Sequence, residues 1–173
     1  QVMGESDKNE IYLSSSPHYA SPISTRHVMF AVVAALLPLA LYGVWLFGLP
    51  ALVTILASVV SCVAFEALFR KLTKQDIRVG DFSAVITGLL LALILPPATP
   101  VWMTVLGAFF AIVVAKEFFG GLGANVFNPA LTGRAFLLVS FATPLTTWSA
   151  PFVADAIRTA TPLSVIKPVY GDV

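Results

Sequence analysis

Charge is what this sequence has least of. Asp, Glu, Lys and Arg together make up 11% of the 173 residues, against about 25% in water-soluble domains, while apolar residues reach 58%. With a mean hydropathy of +0.90, a chain this short has more apolar surface than a water-soluble core can hide, which excludes a soluble fold. Cysteine is nearly absent. Cys62 stands alone inside an apolar run, which excludes a disulfide framework and a Cys-based metal or iron–sulfur site within this chain. The net charge of +1 comes from basic residues scattered between apolar runs, so there is no basic face for nucleic acid. A long apolar run is also missing from the first 27 residues, where Glu5, Asp7, Lys8, Glu10 and Ser14-Ser15-Ser16-Pro17 stand instead. That order does not suit a cleavable secretion signal, and insertion is expected to rely on the first spanning helix.

What the sequence has is a series of apolar segments of membrane length or shorter. Val28 to Gly48 is 21 residues without a charge; at about 1.5 Å per residue it covers roughly 31 Å, the thickness of a hydrocarbon core. Gly48-Leu49-Pro50 breaks the chain, and Ala51 to Phe69 forms a second run with Glu66 near its far end. Arg70, Lys71, Lys74 and Arg78 then place four of the ten basic residues in one short loop, which the positive-inside rule assigns to the cytoplasm. Phe82 to Leu95 is apolar for only 14 residues before Pro96-Pro97-Ala98-Thr99-Pro100, and Val101 to Ala115 returns toward Lys116-Glu117. After the Gly/Asn-rich loop Gly120–Asn125, Asn128 and Pro129 have the residue types of a helix cap and first turn, and the run ends near Ala142. Short runs bordered by Pro and Gly predict broken or re-entrant helices. Residues 143–160 read as a polar loop with Trp148 as an interface anchor.

Few ionisable residues fall within these runs. Glu66 and the pair Lys116-Glu117 sit at helix ends, where snorkelling toward the headgroups accounts for them and an ion path is the weaker reading. Arg134 lies inside the fifth run, as either a functional site with a partner or a side chain snorkelling from about one and a half turns below Asn128. In Asp155-Ala156-Ile157-Arg158-Thr159-Ala160-Thr161-Pro162-Leu163, Thr161 and Pro162 have the form of a helix N-cap and first turn. The same geometry suits a phosphate on the Thr161 hydroxyl.

Taken together, Lys116 to Leu137, containing Gly120-Gly121-Leu122-Gly123-Ala124-Asn125-Val126-Phe127-Asn128-Pro129-Ala130-Leu131-Thr132-Gly133-Arg134, and the later Asp155…Ala160-Thr161 resemble a known family. It comprises the D-type subunits of the Rnf ion-translocating ferredoxin:NAD oxidoreductase and the related B-type subunits of the sodium-pumping NADH:quinone oxidoreductase. The resemblance implies that a flavin transferase moves FMN onto the Thr of an Asp-x-x-Ser/Thr-Gly-Ala-Thr motif, as a covalent phosphoester on Thr161. Asp155 stands six residues before Thr161 and Ala160 directly precedes it, while Arg158 replaces the motif's Ser/Thr and Thr159 its Gly. Thr159 is therefore a second hydroxyl near the attachment point, and Arg158 a possible counter-charge to the phosphate. Asn128 and Arg134, within the Gly/Asn/Pro block, complete the cofactor-binding candidates, and no catalytic residue or metal ligand is assigned.

The resemblance implies an all-α polytopic membrane protein of about five transmembrane helices, some short or broken. It corresponds to one half of a ten-helix inverted-repeat, urea-transporter-like fold; Leu95-Pro96-Pro97-Ala98-Thr99-Pro100 is also similar to a urea-transporter signature. The expected organisation is a polar cytoplasmic arm over 1–27, a transmembrane bundle over 28–142, and an external segment over 143–173 carrying the flavin motif and the start of a further helix. The expected setting is a bacterial or archaeal cytoplasmic membrane, with the N-terminus inside and Thr161 outside. The expected partners are the lipid bilayer, the other subunits of an Rnf-type complex and a flavin transferase, without nucleic acid. FMN would act as an electron relay while the complex moves Na⁺ or H⁺. A urea-type channel or small-solute transporter without redox cofactor, and a purely structural anchor, are the alternatives.

Overall fold

The computed structural model describes residues 24–74, 79–149 and the strand 158–160. Helix α1, Thr25–Phe47, ends at Gly48, whose φ of 68° turns the chain while its N–H donates to the Val44 carbonyl at 2.8 Å. Helix α2, Leu49–Leu72, begins immediately, with Pro50 in the first turn where a missing N–H costs no hydrogen bond. Its buried residues Ala51, Thr54, Ser58, Cys62, Glu66 and Arg70 fall on one stripe at spacings of three and four. The small ones in the middle let α3, Ser83–Ile94, come to backbone distance: a methyl group on Gly88 would lie 2.7 Å from the Val59 Cα. Ser58 Oγ donates to the Gly88 carbonyl at 2.8 Å across this crossing.

Helix α3 has 12 residues, about 18 Å, well short of a bilayer core of about 30 Å. The chain beyond it, Leu95 to Thr99, is buried apart from a half-covered Ala98, without being helical. Two threonines serve carbonyls there: Thr54 donates to Pro97 at 3.0 Å and Thr99 to Pro96 at 2.6 Å. Irregular backbone at membrane depth is tolerable only where protein covers it and such partners exist. Helix α4, Val101–Phe109, continues through a π-helical turn, Phe110–Val114, and a 3₁₀ turn, Glu117–Phe119, making a 19-residue apolar rod.

Helix α5, Pro129–Ser140, packs on α4 through glycines. A methyl group on Gly133 would meet the Gly107 carbonyl at 2.7 Å. After Phe141 follow the short helix α6, Ala142–Thr146, strand β1, Thr147–Ser149, and strand β2, Arg158–Ala160. β1 and β2 pair antiparallel, Thr147 with Ala160, Trp148 with Thr159 and Ser149 with Arg158. The reading of 143–160 as a plain polar loop is thus corrected: this stretch gives part of its backbone to a helical turn and part to a ribbon, which satisfies hydrogen-bonding groups that a loop would leave to water.

Three stretches, Thr25–Phe47, Leu49–Leu72 and Val101–Phe119, are long and apolar enough to cross a membrane. Helix α1 is covered least by protein, and Leu39, Leu41, Tyr42 and Trp45 all stand exposed on it, a surface suited to hydrocarbon. The chain is an all-α polytopic membrane protein with one two-stranded ribbon. The bundle has two ends. The α2 C-terminus, the start of α3, the end of the α4 rod and the start of α5 share one. Gly48, the Pro96–Pro100 turn, α6 and the ribbon share the other, where Trp148 borders Ala51 and Pro97 and Pro144 borders Pro100. Of the arm over 1–27 only Ser24 to His27 fall among the described residues, and Asp76 and Arg78 lie outside them.

The α2–α3 crossing sets an expected outcome. Gly88→Ala is expected to lower stability by about 1–3 kcal/mol, because the methyl meets backbone that cannot step aside. Gly43→Ala, where an added methyl meets nothing outside its own stretch of helix within 4 Å, is expected to leave stability unchanged or raise it by up to about 1 kcal/mol, since alanine is the better helix former. Thermal unfolding of the two variants in detergent checks the pair.

Candidate functional site

At the first of these ends the helices enclose five ionisable groups. Glu66 and Arg70 are one helical turn apart on α2, and Lys116 and Glu117 follow the π turn of the α4 rod. Asp81, two residues before Ser83, takes up the first N–H of α3, Oδ1 accepting from the Ser83 N–H at 2.9 Å and the Ser83 hydroxyl at 2.7 Å. Lys116 Nζ donates to Glu66 Oε2 at 3.0 Å and to Ser83 Oγ at 2.6 Å. Arg70 Nη2 donates to Glu117 Oε1 at 3.3 Å and lies 3.4 Å from Glu66 Oε1. A continuous polar chain therefore runs Asp81–Ser83–Lys116–Glu66–Arg70–Glu117 across three helices.

Relative exposure is 0% for Glu66, 2% for Lys116, 6% for Arg70 and 6% for Glu117. This overturns the expectation that Glu66, Lys116 and Glu117 snorkel. Two acids and two bases compensate one another inside the protein, and each cation has a carboxylate within 3.4 Å, so none needs to reach out. Glu66 Oε1 receives no hydrogen bond among the described residues, although Arg70 lies beside it. Beside Lys116 opens a cavity of about 170 Å³ bordered by Ser83, Thr87, Leu122, Asn125 and Asn128. The two 12-residue helices α3 and α5 both begin at this cavity.

The cofactor candidates do not gather in one place. Asn128 is the cap of α5, its Oδ1 accepting from the N–H groups of Ala130 at 3.0 Å and Leu131 at 3.3 Å, and it borders the Lys116 cavity. Arg158 and Thr159 lie in β2 at the opposite end. Helix α5, about 18 Å long, separates the two places, so a single site holding all the candidates is not what the chain builds. Arg134 is half-buried in the middle of α5 and makes no ion pair among the described residues. Asp155 and Thr161 lie outside the described residues. Sequence reasoning missed Ser83 and Asp81, for a lone Ser–Asp pair before an apolar run signals only a cap. The Glu66–Arg70 spacing of four was the legible hint that the charges pair.

Fold and cluster together define a polytopic membrane protein that keeps ionisable groups paired inside its helices, the usual mark of a working interior in such proteins. The chain belongs to the NQR2, RnfD, RnfE family, whose pattern matches residues 12–172. It is 44% identical over 162 residues to the D-type subunit of the proton-translocating ferredoxin:NAD(+) oxidoreductase complex of Clostridium ljungdahlii, covering 92% of this chain and 49% of that protein. It is 47% identical over 161 residues to the Na(+)-translocating counterpart from Acetobacterium woodii, covering 92% of this chain and 51% of that protein. To the D-type subunit of the ion-translocating oxidoreductase complex of Rhodobacter capsulatus it is 45% identical over 139 residues, covering 79% of this chain and 39% of that protein. The chain thus spans about half the length of the first two relatives.

The cluster yields a double-mutant prediction. Lys116→Met leaves the Glu66 carboxylate buried with one cation fewer and is expected to cost about 3–5 kcal/mol. Glu66→Gln combined with Lys116→Met removes both charges and is expected to recover most of that loss. Unfolding midpoints of the single and double variants measure the difference; additive losses would show that the two side chains do not interact.

Proposed function

We propose that this chain is part of the membrane subunit of a redox-driven complex that moves Na⁺ or H⁺ while passing electrons between ferredoxin and NAD, and that it carries FMN covalently on Thr161. The flavin supplies electron transfer, relaying electrons between redox centres on neighbouring subunits. The chain's own residues supply attachment and surroundings.

The observation that carries the reading is the Asp155–Thr161 motif together with the ribbon that precedes its threonine. Ala160, the residue before Thr161, is fixed by pairing to Thr147. The flanking residues Ala142, Thr143 and Thr146 are exposed, so the ribbon belongs to an accessible end of the bundle that a transferase can approach. A Thr hydroxyl is the group such an ester needs, and Arg158 adds positive charge three residues away for the phosphate. The Lys/Arg-rich turn after α2 belongs to the other end. By the positive-inside rule that puts the turn in the cytoplasm and the ribbon outside, in a bacterial or archaeal cytoplasmic membrane. The buried charge cluster supports the translocation part, since paired ionisable groups inside spanning helices are the groups from which ion paths are built.

Two measurements test this. With the cognate flavin transferase present, the full-length chain is expected to fluoresce in denaturing gels and to carry an FMN addition of roughly 440 Da. Thr161→Ala is expected to lose both while keeping its fold, because the loss of a cap of the kind its sequence suggests would cost only about 1 kcal/mol; Thr159→Ala is expected to keep both. Loss in Thr159→Ala alone would move the attachment to Thr159, and absence from the wild type would end the redox reading in favour of a transporter without cofactor. For topology, Lys74→Cys is expected to react with impermeant maleimide from the cytoplasmic face and Thr143→Cys from the outer face; reaction of both from one side contradicts the assignment.

A further inference from the structure

Within Phe110–Val114 the α4 rod holds one residue more than an α-helical turn does: the Ala115 N–H donates to the Phe110 carbonyl, five residues back, at 3.0 Å. Up to and into that turn the buried residues Met103, Thr104, Gly107, Ala108, Ala111 and Ile112 recur at α-helical spacing. Continued in that register, the buried face would run on through Ala115 to Phe118. Lys116 would stand about 140° round the helix from Ala111 and about 40° beyond Ile112, at the edge of that face. Instead Phe118 is 67% exposed and Lys116 is 2% exposed. The π turn, with the turn at 115–116 and the 3₁₀ turn after it, brings Lys116 to Glu66.

The two sides of the turn are held differently. Just before the turn and at its start the rod is clamped to α5: Gly133 and Gly107 bring the backbones together, and the Phe110 ring stacks on Phe136 at 3.5 Å with 7° between planes. Downstream, Gly120, Gly121 and Gly123 have φ of 104°, 86° and 88°, a region that glycine occupies without strain, so the following loop can take up a one-residue shift. Beside Lys116 the cavity of about 170 Å³ leaves space next to the amine.

We propose that the π turn Phe110–Val114 is a one-residue register switch for the buried charge cluster. In the π register Lys116 pairs with Glu66 and Ser83. In the α register Lys116 rotates by about 100° off both, Glu117 turns with it, and Glu66 keeps Arg70 as its basic neighbour. The switch changes the charge compensation of a buried carboxylate without breaking the α2–α3 crossing, and the Phe110–Phe136 stack at the start of the turn resists it. It needs no flavin and stands or falls separately from the attachment at Thr161.

The experiment reads Lys116 directly, in the full-length chain within its membrane complex. Membranes are treated with acetic anhydride, and Lys116 acetylation is followed by peptide mass, with exposed Lys71 as the internal standard. Deleting Val113 removes the extra residue, so a continuous α-helix carries Lys116 to Glu66 with no second register. Wild-type Lys116 is expected to react slowly but measurably, and the deletion to lower its rate severalfold with Lys71 unchanged. Phe136→Leu, which removes the stacked ring, is expected to raise the Lys116 rate severalfold. Equal rates in wild type and deletion, or a wild-type Lys116 that never reacts while Lys71 does, overturn the switch. Where the deletion fails to assemble, an unchanged rate in Phe136→Leu overturns it.

Discussion

The contact between Lys116 and Glu66 is the one on which the rest of the bundle depends. An ammonium and a carboxylate, 3.0 Å apart and almost wholly covered, are stable together and costly apart, since either alone would be an uncompensated charge in a medium that solvates it poorly. To keep them together, α2 must present Glu66 inward, α3 must bring Ser83 to the same point, and the α4 rod must deliver Lys116 there. The three helices are tied at one end by charge and along their length by apolar contact.

The apolar contact is close because the facing residues are small. Ser58 and Gly88 on one crossing, and Gly107 and Gly133 on the other, allow backbone to meet backbone. Lipid offers no hydrophobic incentive for helices to associate, so such close packing and buried hydrogen bonds carry the association. The same constraint explains the Pro96–Pro100 turn. Its carbonyls would be intolerable against lipid, and Thr54 and Thr99 serve two of them inside the protein.

These constraints give the molecule two distinct ends. The charge cluster and its cavity occupy one end; the ribbon leading to Thr161 occupies the other. Helix α5 joins them, beginning at the cavity with Asn128 and ending at the segment that becomes β1. Helix α5, stacked on Phe110 through Phe136, runs between the two ends.

The sequence by itself determined that this is a membrane protein, roughly where its helices run, that α3 and α5 are short, that Asn128 caps α5, and which family it resembles. Each rests on local information: hydropathy over a window, Pro and Gly at borders, a capping side chain one turn from its N–H, a motif read in order. Only the tertiary structure decided that Glu66, Lys116 and Glu117 face one another rather than the headgroups. That outcome depends on a residue absorbed in a π turn and on Ser83 arriving from a third helix, and neither leaves a trace in composition or periodicity. The separation of Asn128 from Arg158 and Thr159 is likewise a matter of tertiary structure, because residues grouped by one motif pattern become distant once a rigid helix of about 18 Å stands between them.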